Sequence, residues 1–577
     1  MDRKPGSMLD RLDWLVAAGF AAVSAVLYFA AKADFAFPGE SAHLIALWRG
    51  LDFAKVAPYP LMAFFAKLFG SGNALAPVCG IIATTAVYLL TAFFVRLRIN
   101  GENMSRFAVP ASRLAGVVAA AIFMLTPAVR SAATHLEPRM FSVAWALLSF
   151  LVMLPWSRAS KWTGCLAALA FGAMWGAGAA DSPLFFALLP IALAVAIALP
   201  LRRSRKPYSE AVLFLLSSAV VFCVMVSGTG DFFETLKTLW TSLTGYCKPD
   251  GWMLVLFFTT IPFVVSLFSS AKAFNEESGW VQWIFHISMG VCSIIAVATP
   301  LSASSLMEPS GILPVAASLF AAFIAGYLAA YWILVAFSSV RVNESQDSAP
   351  VATKGRLFAY VVGGMLSVVY VFTLLFNLFT FDGRRGAFAD RMAARIIDDL
   401  GDRAWLVTDG TIDDNIMIVA ADRGKDLTIV SLSRDLERDY LDRLSSVVRE
   451  RNVGGDRNAE LTLSLSLGIL PFVQDWFACD PSVPSSVAVF GAPDLWYSAG
   501  ITPVPEFAFF GADALRKTDW FSEWDGIKDC LEVPKGWGSY GLRKVKNPVE
   551  RRRLELRRHL GFVANNLGVW LDRKSVV

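Results

Sequence analysis

Up to about residue 380 the chain alternates long apolar runs with short polar loops, and beyond it the apolar period changes. A helix that crosses a bilayer needs roughly 20 largely apolar residues. Segments 13–33, 74–95, 113–129, 140–156, 162–180, 183–200, 210–227, 252–270, 281–299, 312–338 and 357–380 qualify, which predicts about eleven spans. Between 162 and 200 the turn Asp181-Ser182-Pro183 is short, and Gly172, Gly176 and Gly178 predict tight helix packing. Residues 34–73 have a shorter rhythm. Apolar positions recur at helical spacing from Leu44 to Phe53 and from Leu61 to Phe69, as in two interfacial helices joined by Ala57-Pro58-Tyr59-Pro60. After 380 the pattern predicts an amphipathic helix over Phe388–Leu400, with Met392, Ile396, Ile397 and Leu400 on one face. Strands are expected at Ala404–Thr408, Leu427–Leu432 and Val487–Phe490, and helices at Asn415–Ala421, Asp439–Val448 and 459–473. Strands alternating with helices predict a small α/β layer with parallel pairing. A basic helix closes the chain from Pro548 to Trp570.

Composition sharpens the boundary. The 577 residues are 55% hydrophobic, with mean hydropathy +0.52, above the soluble average. Residues 1–380 hold 43 charged side chains and 381–577 hold 57. The expected fold is therefore a polytopic α-helical membrane protein with a soluble C-terminal α/β domain. Its parts are a transmembrane domain over 1–380 with the long first outer loop 34–73, the α/β domain over 381–547, and the basic helix over 548–577. Basic residues cluster in alternate loops: Arg3, Lys4 and Arg11; Arg96, Arg98, Arg106 and Arg113; Arg158 and Lys161; Arg202, Arg203, Arg205 and Lys206; Arg341, Lys354 and Arg356. The positive-inside rule puts those loops, and the N-terminus, in the cytoplasm. With an odd number of spans, residues 381–577 then lie outside, as expected for a bacterial inner membrane. The apolar run Trp14–Ala31 is longer than a signal-peptide core and reads as an uncleaved first helix. No basic stripe interleaved with aromatics suggests a nucleic-acid partner. Of the seven cysteines, Cys479 and Cys530 alone lie in the soluble domain, where they are able to pair if that domain is extracytoplasmic.

The candidate chemistry gathers in the outer loops. Glu40 opens a helix, where the helix dipole favours a carboxylate, and His43 follows one turn later on the same face. Such a pair suits acid–base work or a divalent cation, but two groups are too few to hold a metal, and none is assigned. Arg49, Arg130, His135, Glu137 and Arg139 also lie in outer loops. Head-group anchoring is the simplest reading of each arginine alone. Four such groups within residues 130–139 favour a binding role. Asp409, Asp413 and Asp414 follow the first expected strand, where turn and N-cap chemistry is the first reading and a ligand site the second. No nucleotide-binding glycine motif is present. The aromatic and proline-rich stretch 471–525 reads equally as core, sugar-stacking surface or interface.

Several motifs fall in a familiar order. Gly39-Glu40 follows the first span, then Pro58-Tyr59-Pro60-Leu61, then Thr126-Pro127-Ala128-Val129-Arg130, then His135-Leu136-Glu137-Pro138-Arg139. A strand, an acidic turn, a helix and a second strand follow over 404–432. This order resembles the C-type (GT-C) glycosyltransferase-like family of polytopic membrane proteins that includes the transmembrane protein 260 O-mannosyltransferase. The likeness covers about 34–156 and 404–432. It implies transfer of a mannose-like sugar from a polyprenyl-phosphate carrier to an acceptor hydroxyl, on protein Ser/Thr or on a glycan, outside the membrane. By that likeness Glu40 is the catalytic base, and His43, Arg49, Arg130, His135, Glu137 and Arg139 contact the substrates. The departure is Phe37, which stands where the family's first-loop Asp is expected. It keeps a second reading open, a catalytically inactive relative acting as a scaffold or an export or assembly subunit. A transporter ranks third, because its ionisable residues would lie within spans.

Overall fold

The computed structural model describes residues 9–52, 58–69, 73–99, 108–154, 161–201, 208–228, 232–246, 315–338, 383–506, 508–512, 525–526, 529–531 and 548–575, with scattered positions from 361 to 375. The expected spans 252–270 and 281–299, and most of 357–380, lie outside the described residues. The chain forms two compact units: 1–32, 58–383 and 536–545 make the first, and 33–57, 384–535 and 546–577 the second.

The first unit is helical. Its elements are α1 (Arg11–Ala30), then, after α2 of the second unit (Glu40–Trp48), α3 (Pro60–Leu68), α4 (Leu75–Ile99), α5 (Ala108–Leu125), α6 (Pro127–Ala132), α7 (Pro138–Val152), α8 (Lys161–Asp181), α9 (Leu184–Leu201), α10 (Tyr208–Ser227), α11 (Phe232–Tyr246) and α12 (Val315–Ser338). Among the described residues four helices are long and apolar enough to cross a membrane: Arg11–Ala30, Leu75–Arg96, Trp162–Asp181 and Ser209–Ser227. Val109–Leu125, Pro138–Val152, Leu188–Ile197 and Ser318–Ala330 are apolar but shorter. The stretch 228–251, expected as a loop, contains α11.

Two features fix this packing. A Cβ on Gly172 would collide with the Phe214 carbonyl oxygen, and one on Gly176 with the Ser218 carbonyl oxygen. The glycines at i and i+4 thus let the backbones of α8 and α10 touch, as small residues do between membrane helices. Gly178 instead makes room for the Phe185 ring. At the start of α1, Asp10 and Asp13 form a capping box. Asp13, fully buried, binds Arg96 of α4 at 2.9 Å and Arg113 of α5 at 3.0 Å.

The second unit is an α/β sandwich. It contains α2, α13 (Ala387–Asp399), β1 (Trp405–Thr408), α14 (Asp413–Asp422), β2 (Thr428–Ser431), α15 (Arg438–Glu450), α16 (Asn458–Leu467), α17 (Ile469–Cys479), β3 (Val487–Val489), β4 (Val504–Glu506), β5 (Phe509–Gly511) and α18 (Pro548–Ser575). The sheet order is β2-β1-β3-β5-β4. β1 runs parallel to β2 and β3, and β5 antiparallel to β3 and β4. Side chains alternate across the pleat. Trp405, Val407, Val487 and Val489 enter a core with α15, α16 and α17. Leu406 and Ala488 enter the opposite core with α13, α14 and α18. Both faces of these strands are covered, which accounts for their unbroken apolar runs.

The single helix expected over 459–473 is two helices. Gly468, at φ 139°, ends α16 and begins α17. The Asp435 carboxylate accepts the Ile469 N–H at 2.5 Å and occupies the space a Cβ on residue 468 would need. Within 471–525, Trp476, Phe477, Trp496, Phe509 and Phe510 are core residues. Cys479 and Cys530 are free thiols.

The segment 34–73, expected as the first outer loop, is divided between the units. Its strap, residues 33–57, belongs to the α/β unit, and α2 packs on α14 there. The Asn415 amide donates to the Ala36 carbonyl at 2.6 Å, and the Phe37 ring lies over Gly386.

Candidate functional site

Among the described residues, each unit carries a polar cluster that contains expected site residues. In the helical unit it surrounds the α6–α7 junction. Thr126-Pro127 starts α6 and Glu137-Pro138 starts α7, each proline at a helix N-terminus where its missing N–H costs nothing. Arg130 and His135 are buried at 6% and 7% exposure. Glu137 lies 3.6 Å from His135 Nε2 and 3.4 Å from Arg139 Nη1. Burial alone would raise the Glu137 pKa, but His135 and Arg139 outweigh it and hold the carboxyl below its ordinary value. Three of the four expected residues therefore form one contiguous group, and Arg130 lies on the helix just before it.

Sequence reasoning missed Asp181. This carboxylate ends α8 and accepts the Leu61 N–H at 2.7 Å, so it caps α3. It is buried, and its second oxygen has no hydrogen-bond partner among the described residues. Tyr59, just before α3, takes a left-handed φ of 53°. In the sequence Asp181 looked like an ordinary turn residue.

In the α/β unit the cluster forms around α2. Gly50 N–H binds the Leu47 carbonyl and Leu51 N–H the Ala46 carbonyl, the paired bonds of a Schellman motif with Gly50 at φ 71°. This turn carries Asp52 back toward the helix, where it is buried. His43 Nδ1 is 3.2 Å from Asp414 Oδ1 and 3.6 Å from Asp52 Oδ2. The carboxylates within ion-pair reach of His43 are thus Asp52 and Asp414, rather than Glu40. The hydrogen bond to Asp414 is the largest influence on His43 and raises its pKa above the ordinary value, against the effect of burial. Arg434 donates to Asp52 at 2.8 Å and to Glu437 at 2.7 Å, and its guanidinium lies 4.2 Å from the Tyr440 ring centroid. Arg49, expected to contact the substrates, pairs with Asp422 at 2.7 Å on the surface. Glu40 sits in the first turn of α2. The Arg552 guanidinium lies against Gly39, 3.1 Å from where a Cβ would stand.

Of the three acids after β1, only Asp409 acts as a turn residue, accepting the Thr411 N–H at 3.0 Å. Helix α14 has no side-chain cap. Burial pushes the Asp413 carboxyl up to about 6. The nearby Ser431 and Thr408 hydroxyls oppose that rise, yet among the described residues neither Asp413 oxygen has a hydrogen-bond partner of normal geometry.

The structure defines the class of the chain: mostly helical, with apolar helices suited to a membrane and an α/β unit built on a small sheet. No protein-family model and no curated protein matches it.

Proposed function

We propose that the chain is an integral membrane glycosyltransferase of the C-type, with about eleven spans, in a bacterial inner membrane. The N-terminus is cytoplasmic and the α/β unit extracytoplasmic. The reaction moves a mannose-like sugar from a polyprenyl-phosphate carrier to an acceptor hydroxyl. The acceptor oxygen bonds to the sugar's anomeric carbon, and the bond from that carbon to phosphate breaks. The carrier leaves with its phosphate, and Glu40 takes the hydroxyl proton. Arg130, His135 and Arg139 hold the phosphate, and Glu137 orients Arg139.

The observation that carries this reading is the anchoring of α2. Contacts from Asn415, Asp414, Arg434 and Asp422 hold residues 33–52 in place. A general base works only from a fixed position, and this anchoring supplies one for Glu40. The buried Arg130 gives second support, because a desolvated guanidinium suits a phosphate leaving group.

One observation favours the scaffold reading. Phe37 is buried at 8% exposure and packs as a core residue where the family's Asp is expected. Membranes bearing the full-length chain, given radiolabelled polyprenyl-phosphate mannose and Ser/Thr peptides, separate the two. Transfer that falls about a hundredfold or more in Glu40→Gln supports catalysis. No transfer by the unaltered chain, or full transfer by Glu40→Gln, sinks it.

A further inference from the structure

We propose that His43, Asp52 and Asp414 form a binding site for a first-row divalent cation, of which zinc is the natural probe, and that the ion clamps the strap to α14. The site goes beyond sugar transfer and does not depend on it.

The three ligand atoms lie within 4.8 Å of one another. Zinc binds imidazole nitrogen and carboxylate oxygen at about 2.0–2.2 Å, so tetrahedral ligands stand about 3.3–3.6 Å apart. The His43 separations of 3.2 and 3.6 Å already fit that geometry. The ligands come from separate stretches of chain: α2, the turn after it, and the first turn of α14. The Schellman turn at Gly50 returns Asp52 to His43 across nine residues, and the packing of α2 on α14 brings Asp414 to both.

The surroundings are built in the manner of a metal site. Ligating carboxylates are commonly held by an outer hydrogen bond that fixes their orientation. Arg434 supplies this to Asp52, and is itself locked by Glu437 and by stacking on Tyr440. Among the described residues, with His43 neutral, two carboxylates face the Arg434 guanidinium, and Arg552, which also acts on Asp414, has Glu555 beside it. These groups together leave net negative charge for a divalent ion. One imidazole with two carboxylates is a mixed donor set that suits zinc or manganese better than calcium or magnesium, which prefer oxygen alone. Three protein ligands leave a fourth position for water.

Protons compete for the same place, because a protonated His43 also bridges the two carboxylates. Binding should therefore strengthen as pH rises.

The test uses the full-length protein in detergent, stripped with chelator and titrated with zinc chloride at pH 7.5. Bound metal is counted by mass spectrometry, and affinity measured against a chromophoric chelator. One zinc per chain is expected, at least tenfold weaker in His43→Ala and in Asp414→Asn, and unchanged in Cys479→Ala/Cys530→Ala. Absence of retained zinc, or equal retention in His43→Ala and Asp414→Asn, overturns the site. Loss of fold in a variant would mimic loss of binding, so X-ray absorption on the zinc-loaded unaltered protein is the second measurement. One imidazole with oxygen neighbours supports the site, and sulfur ligation or absence of imidazole refutes it. Neither measurement involves sugar transfer, so failure of the transferase reading and failure of this site are told apart.

Discussion

Replacing Gly386 by alanine tests whether the strap is part of the core of the α/β unit. The new Cβ would stand 2.7 Å from Cδ2 and Cε2 of Phe37 and 2.9 Å from Cδ of Pro38. Carbon atoms pack best at about 3.5–4.0 Å, so the Phe37 ring must shift by roughly an ångström. Gly386 has φ −76°, which alanine adopts freely, so the backbone adds no cost. Overpacking of this kind costs about 1–3 kcal/mol. Removing the ring in Phe37→Ala costs about 3–5 kcal/mol. The double variant is the informative one. Its alanine at 386 no longer meets a ring and partly fills the space the ring left, so it should be more stable than the sum of the single losses by about 1–2 kcal/mol, within the usual coupling of touching residues. Trp405, Trp476 and Trp496 lie in a core of this unit and report its unfolding by fluorescence in full-length protein. Strict additivity, or a harmless Gly386→Ala, would refute the packing of Phe37 on Gly386.

Other predictions follow from the same physics. Asp13→Ala strands the buried Arg96 and should destabilise the helical unit by about 3–5 kcal/mol, seen as an earlier thermal transition in detergent. Gly176→Val drives side-chain atoms into the Ser218 carbonyl and should sharply lower the yield of monodisperse protein, whereas Gly19→Ala, with open space around it, should not. His559 is pushed down by burial, and its Nε2–H donates to the Ala508 carbonyl at 2.6 Å. The unfolded chain therefore binds that proton first, and stability should fall as pH drops through about 6.5 toward the depressed folded value. Melting curves from pH 8 to pH 5 should show this loss, and His559→Gln should flatten it.

The parallel strands were legible because both faces of each are buried, so Trp405–Thr408 and Val487–Val489 read as plain apolar runs. β4 and β5 were not: three residues each, beside Pro503 and Pro505, leave no period to detect. The division at Gly468 escaped because the apolar spacing continues across it, and only the distant Asp435 explains the break. The glycine seam at 172 and 176 was readable from its four-residue spacing. In the candidate sites, His43 and the group at 130–139 showed as clustered ionisable residues. Asp414 showed as one of three acids after the first strand, with no sign of His43 as its partner, and Asp52 and Arg434 did not show, because pairs such as His43–Asp414 and Asp52–Arg434 meet across more than 370 residues and no local pattern records such a meeting.

The strap also sets the timetable of synthesis. Its apolar face, with Ala42, Leu44, Ile45 and Ala46 buried in the finished unit, leaves the ribosome more than three hundred residues before the helix that covers it. At roughly 5–20 residues per second the gap is about 18–73 s. Through that time an apolar segment waits while the helices of the first unit are synthesised. Nascent chains stalled before residue 413 should therefore be unusually sticky, and a fragment beginning at 384 would lack a piece of its own interior. The natural folding partner of the C-terminal third is a segment made near the start.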